Sequence, residues 1–300
     1  MKAIIGGDLV DLSNDSLPKI TYQVGIAVNV RGGTMRCGGT LVDHLWVVTA
    51  AHCVWDQMNG APIASAGEFT IIPGINFNDQ SQAKRAAAIY VHDTYKSGNS
   101  LRSQDIALIK LESSVVFSDK VTAAALSSDE LCAANQCQDP SKLYYGSGYG
   151  YTQSGSASSL STMLRFVQLK NIDQDTCLAR VRANTNGAGG LPEGNLCAGA
   201  LSSTGIQDTC RGDSGGPLTV DLGAGKTPRY MLVGIVPIGT AQTEPLCGNP
   251  GDYGIYVSVK YNRGWIDSVM AEKISPISKG GSAVMLAPCA VLVAMLLLLL

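Results

Sequence analysis

Gly212-Asp213-Ser214-Gly215-Gly216-Pro217 sets a serine among three glycines. Glycine lets a backbone come close to a reacting carbonyl and turn its N–H groups towards it. A serine hydroxyl is a weak nucleophile by itself, so a histidine must take its proton. A buried carboxylate then holds the tautomer of that histidine. Working outward from Ser214, the sequence offers one candidate for each partner. His52 lies in Thr49-Ala50-Ala51-His52-Cys53, where small neighbours leave room for a substrate and Cys53 can tie the loop down. Asp105 opens the otherwise apolar run Asp105-Ile106-Ala107-Leu108. His44 and His92 have no comparable surroundings and read as ordinary surface or loop histidines.

The bulk composition sets limits on this chemistry. The chain has 300 residues, a net charge of −2 and 15% charged residues. Without clustered Lys and Arg it has no nucleic-acid surface to offer. Abundant glycine (34 residues) suits many short strands joined by tight turns. Of nine cysteines, eight lie between Cys37 and Cys247 and the ninth is Cys289. An even set inside the folded part implies a disulfide framework, hence an oxidising, extracellular setting reached by export. Zinc is not expected, because paired Cys-x-x-Cys spacing is absent. Nor is calcium, since Asn76, Asn78 and Asp79 supply too few carboxylates. No metal and no cofactor are expected. Asn14-Asp15-Ser16 fits a glycosylation acceptor.

Strand-like runs cover residues 20–30, 69–72, 87–91, 106–111, 164–169, 217–220, 231–236 and 254–259. Another pair is expected between Cys37 and Thr49, with Gly38-Gly39 at its bend. Residues 262–272 form the best helix candidate, because Trp265, Ile266, Val269 and Met270 share one face. The expected organisation is a short leader over 1–3, one folded domain over 4–272, a linker over 273–282 and an apolar tail over 283–300. The tail carries no charge and follows Gly280-Gly281-Ser282, which suits a signal exchanged for a glycosylphosphatidylinositol anchor, or alternatively a retained membrane helix. Membrane association through this tail is therefore expected.

Taken in order, TAAHC, DIAL and GDSGGP resemble the three signatures of trypsin-like, chymotrypsin-fold serine proteases. The likeness runs from Ile4 to about Trp265. The order His, Asp, Ser separates it from subtilisin-like and α/β-hydrolase enzymes. The resemblance implies an all-β fold of two six-stranded antiparallel barrels, with the active site in the cleft between them and a C-terminal helix. It implies a serine endopeptidase, with Ser214 as nucleophile, His52 as base and then acid, and Asp105 as its orienting acid. The N–H groups of Gly212 and Ser214 would form the oxyanion hole. The resemblance also implies a zymogen, in which a new Ile4 ammonium pairs with Asp213. The residue before Ile4 is Ala3 rather than Arg or Lys, a departure from the usual activation site.

Asp208, six residues before Ser214, matches the floor of the primary specificity pocket, and Gly239 and Gly254 match its walls. Together they imply cleavage after Arg or Lys. Pro237 stands where the family has a serine, Ile238 where it has a tryptophan, and Arg211 where glutamine is frequent. Gly148-Tyr149-Gly150 resembles the family's Gly-Trp-Gly turn. The implied disulfides are Cys37–Cys53, Cys177–Cys197 and Cys210–Cys247, which leaves Cys132 and Cys137 to pair locally. Protein or peptide substrates, protein inhibitors and a monomer are expected. The alternative is a non-catalytic binding or inhibitor protein on the same fold.

Overall fold

The computed structural model describes residues 4–96, 104–129, 142–153, 159–187, 189–223, 229–237, 247–251 and 253–279. Cys132, Cys137, Ile238, Gly239 and the tail over 283–300 lie outside the described residues. The chain opens with strands β1 (Asp8–Leu9), β2 (Gln23–Val30), β3 (Gly33–Leu41), β4 (Trp46–Thr49), β5 (Trp55–Asp56) and β6 (Ala61–Pro62). Then come β7 (Thr70–Pro73), β8 (Lys84–Val91), the short helix α1 (Asp93–Lys96), β9 (Ala107–Leu111) and β10 (Ala125–Leu126). The second half holds β11 (Leu143–Gly148), β12 (Arg165–Ile172), α2 (Gln174–Asn184), β13 (Asn195–Ala200) and β14 (Pro217–Asp221). It closes with β15 (Tyr230–Ile235), β16 (Tyr253–Ser258), α3 (Arg263–Met270) and β17 (Ser278–Lys279).

Two antiparallel barrels result. In the first, the order β8-β7-β2-β3-β4-β9 closes through β8–β9; in the second, β12-β11-β14-β15-β16-β13 closes through β12–β13. Each barrel therefore has six strands, as expected. Closure removes the unpaired edges that an open sheet would expose. Ile26, Val47, Val48, Ile71, Ile89 and Leu108 fill the first barrel, and Val167, Leu169, Leu218, Val233 and Tyr256 fill the second. Helix α3 sets Ile266 and Val269 against the first core, which is the apolar face read from its spacing.

Gly38 and Gly39 do not form a bend. They lie inside β3, and the turn comes later, where Asp43 accepts from the N–H of Leu45 and Trp46. The glycines are needed for packing. A Cβ on Gly38 would stand 2.9 Å from the Gly216 Cα of the other barrel, and one on Gly39 would stand 2.8 Å from Val47. The barrels meet through that close approach and through the buried hydroxyl pair Tyr22 and Thr219, 2.6 Å apart.

The expected linker needs a second correction. After α3 the chain turns back to the first barrel, and β17 pairs with Ala88 and Ile89 of β8. Ile277 donates its N–H to Ile89 O at 2.8 Å, Ser278 Oγ accepts from Ala66 N at 2.9 Å, and Ile274 and Ile277 pack on the core. Short, polar and without a clear period in the sequence, this segment becomes a strand only because β8 has an edge for it there.

Candidate active site

Strand β4 ends at Thr49, and a single 3₁₀ turn over Ala51–Cys53 carries His52 out of the first barrel. A disulfide from Cys53 to Cys37 of β3 (S–S 2.03 Å, Cα–Cα 6.2 Å) pins that turn to the barrel wall. Asp105 sits just before β9 and is fully buried. Its Oδ1 accepts the backbone N–H of His52 at 2.9 Å, and its Oδ2 lies 2.8 Å from His52 Nδ1. A carboxylate can only accept, so Nδ1 carries the proton and Nε2 is left as the acceptor of the neutral ring. The His52 side chain is 15% exposed and its ring can be reached from the cleft.

Ser214 belongs to the tight loop before β14. The loop is held by Asp213 N to Cys210 O (3.0 Å), Gly215 N to Val236 O (2.8 Å) and Gly216 N to Asp213 O (2.8 Å). Gly38 N donates to Ser214 O at 2.7 Å, and Cys53 Sγ lies 3.7 Å from the same oxygen. The loop of one barrel is thereby fixed against the histidine turn of the other. Ser214 Oγ forms no hydrogen bond among the described residues. Such contacts are often long in ligand-free sites and tighten when substrate binds. The backbone N–H groups of Gly212 and Ser214 also donate to nothing among the described residues. Gly212 has φ +90°, a left-handed conformation that side chains resist. A Cβ there would also stand 2.9 Å from the Gly150 Cα and from Leu160.

Asp213 is fully buried, and its carboxylate accepts the N–H of Gly150 at 2.8 Å and of Cys210 at 2.9 Å. Burial pushes its pKa up to about 7, against the pull of those two donors. Ile4 is also fully buried, with φ +49°, and it packs in the second core. With Met1 to Ala3 attached, the Ile4 nitrogen is an amide and carries no charge. Ile5 bridges to Asp208, whose N–H donates to Ile5 O at 3.2 Å, and packs on the Cys210–Cys247 disulfide.

Half-buried Asp208 accepts from Gly248 N at 3.3 Å. Its charge, after burial, helps to raise the pKa of Tyr256. A Cβ on Gly254 would stand 2.8 Å from the Tyr256 hydroxyl, so only glycine fits there without displacing that ring. Pro237 is buried, while Arg211 is exposed. Cys177–Cys197 ties α2 to β13.

A family model described as trypsin matches residues 13–266. The chain belongs to the trypsin family. A trypsin of Simulium vittatum is 34% identical over 256 residues, which cover 84% of this chain and 88% of that protein. Human transmembrane protease serine 11A is 33% identical over 235 residues, covering 78% of this chain and 49% of that protein. Mouse transmembrane protease serine 11G is 32% identical over 236 residues, 79% and 50% of the two chains. The chain thus spans about half the length of these transmembrane relatives. As a trypsin-family member with this barrel pair, residues 13–266 form a serine-type endopeptidase domain.

Several residues that shape this trypsin-family site escape a reading of strings alone. Fully buried Tyr256 packs against Gly254 from a strand whose composition marks only a core position. Ser147 donates to Gln23 Oε1 at 2.7 Å, joining the barrels behind Ser214. Gly148 and Gly150 leave space for Asp213, since a Cβ on either would fall inside van der Waals contact with its carboxyl. The signal available in the sequence was the glycine spacing of residues 148–150; Gln23 and Ser147 gave none.

Proposed function

We propose that this trypsin-family chain hydrolyses peptide bonds on the carboxyl side of Arg or Lys through an acyl-enzyme. Ser214 Oγ attacks the scissile carbonyl carbon as His52 Nε2 takes its proton. The N–H groups of Gly212 and Ser214 receive the oxyanion. When the tetrahedral adduct collapses, the C–N bond breaks and His52 returns the proton to the leaving amine. Water then repeats the sequence on the ester and frees Ser214. Asp105 holds Nδ1–H and stabilises the imidazolium. The observation that carries this reading is the 2.8 Å His52–Asp105 pair, set beside a serine loop with two N–H groups that donate to nothing among the described residues.

Asp208 supplies the countercharge that a desolvated guanidinium or ammonium requires. Gly254 and, by resemblance, Gly239 leave room for the long stem of that side chain. Release of the residues before Ile4 would create an ammonium for the buried Asp213 and so complete activation. We place the protein outside the cell or on its surface, held by its apolar tail through a lipid anchor or a membrane helix, acting on proteins as a monomer. Among the described residues no helix is long and apolar enough to cross a membrane.

A fluorophosphonate probe tests the chemistry. After processing at Ile4, labelling is expected on Ser214 and is lost in Ser214→Ala. An unlabelled, folded and processed protein would instead favour the binding-protein alternative. Paired peptide substrates differing only in Arg or Leu before the scissile bond test the specificity separately.

A further inference from the structure

The segment between β1 and β2 carries a motif that the proposed hydrolysis does not use. Asn14-Asp15-Ser16 is the single place in the 300 residues where an Asn is followed at the second position by Ser or Thr. Leu12 and Leu17 pack on the first core, whereas Ser13, Asn14, Asp15 and Ser16 are all exposed. The backbone between these two apolar legs is held in successive turns. Asn14 N donates to Asp11 O at 3.4 Å, and Leu17 N donates to Asn14 O at 3.1 Å. Asn14 Oδ1 accepts the N–H of Ser16 at 3.0 Å, an Asx turn that leaves the amide nitrogen unused. Neither Asn14 Nδ2 nor the Ser16 hydroxyl bonds to another group among the described residues. The charge of Asp15, which stands between them, is paired with Lys19 at 3.0 Å. Lys19 also donates its backbone N–H to Tyr230 Oη at 3.1 Å. Tyr230 in turn pairs with Asp221, the residue of β14 farthest from the Ser214 loop.

We propose that Asn14 bears an N-linked oligosaccharide in the mature protein. This rests on the extracellular placement proposed above, because such sugars are added on the export route. In the transfer, Asn14 Nδ2 forms a bond to the anomeric carbon of an oligosaccharide carried on a lipid pyrophosphate. The bond from that carbon to the pyrophosphate oxygen breaks, the lipid pyrophosphate departs and the amide gives up one proton. Once folded, the chain must display a bulky polar group without burying it. The turn meets that demand, since the modified amide stays exposed while Leu12 and Leu17 keep their places on the core. Its tie through Lys19 to the far end of β14 sets the sugar apart from the serine loop.

Mass spectrometry of the protein purified from the cells that make it tests the site. The tryptic peptide ending at Lys19 is expected to carry an added oligosaccharide mass. Peptide N-glycosidase should remove that mass and leave an aspartate in place of Asn14. Asn14→Gln and Ser16→Ala should each abolish the modification, and Ser16→Thr, which restores a hydroxyl, should keep it. These positions are exposed and away from the core, so the variants are expected to fold. An exported protein with unmodified Asn14, or an added mass that survives Ser16→Ala, overturns the proposal. So does unmodified Asn14 in a protein retained inside the cell. Alkylation before reduction separates these two failures. Export leaves Cys37, Cys53, Cys177 and Cys197 blocked as disulfides, whereas retention leaves their thiols reactive.

Discussion

At the scale of single residues, the proposed chemistry rests on which lone pair of His52 faces the cleft. Asp105 takes both the backbone N–H and Nδ1–H of His52, so the ring has little freedom to present the wrong nitrogen. Asp105→Asn should keep the fold and lower kcat by about 10⁴ at neutral pH, the size found when this carboxylate becomes an amide in related triads. Steady-state kinetics on an Arg substrate would check it. A fall of less than tenfold would mean that the His52–Asp105 pair does not control the reaction. Gly212→Ala adds a Cβ at φ +90° and 2.9 Å from Gly150. It should cost about 10²–10³ in kcat by displacing an oxyanion donor. Asp208→Ser should abolish the preference for Arg and Lys over neutral side chains while leaving fluorophosphonate labelling of Ser214 intact. These residues were legible in the sequence because their roles demand fixed local neighbours: glycines beside the serine, small residues beside the histidine and an apolar run after the acid.

At the scale of elements, β17 is the part of the fold that a reading of composition assigned to a linker. It lies next to β8 and fills edge positions that β7 leaves, since β7 pairs only with Lys84 and Arg85. Ile277→Ala should lower stability by about 1–2 kcal/mol, below the usual cost at a fully buried site because Ile277 is half-buried. Thermal melts would register the loss. An unchanged melting temperature would show that the β17 segment adds nothing to the first barrel. Helix α2 was also missed, because Cys177 is its sole buried residue and its sequence has no apolar face. Its start is marked instead by Asp173, whose side chain accepts from Thr176 N at 2.8 Å. The strands of the barrels were easier to find. β-branched runs punctuated by glycine report their own periodicity, whereas an element held by an edge or a cap does not.

At the scale of the whole molecule, the proposed activation turns on Asp213, a buried acid held by the N–H groups of Gly150 and Cys210. In the chain with Met1 to Ala3 attached, Asp213 keeps its proton up to about pH 7, whereas an exposed carboxyl releases it near 3.8. Between those values the folded state holds a proton that the unfolded state has lost. Stability must therefore fall as pH rises through that window, by up to about 1.4 kcal/mol per unit. Asp213→Asn should flatten the slope, and so should cleavage before Ile4, which supplies an ammonium. Denaturant unfolding across the window would measure it. A slope that is identical in the unprocessed chain and in Asp213→Asn would place the titrating group elsewhere.

The sequence alone determined the parts whose physics is local. It determined the three strings around His52, Asp105 and Ser214, the strand-rich composition and the apolar face of α3. These depend on neighbours within a few residues, and side-chain chemistry is readable at that range. Tertiary structure decided what depends on encounters between distant residues. Gly38 is required by Gly216, β17 by the edge of β8, and Gly254 by the ring of Tyr256. The Arg165 Nε is buried and has no acceptor among the described residues. Such features arise from packing and desolvation, which take their value only when the chain has closed into its two barrels.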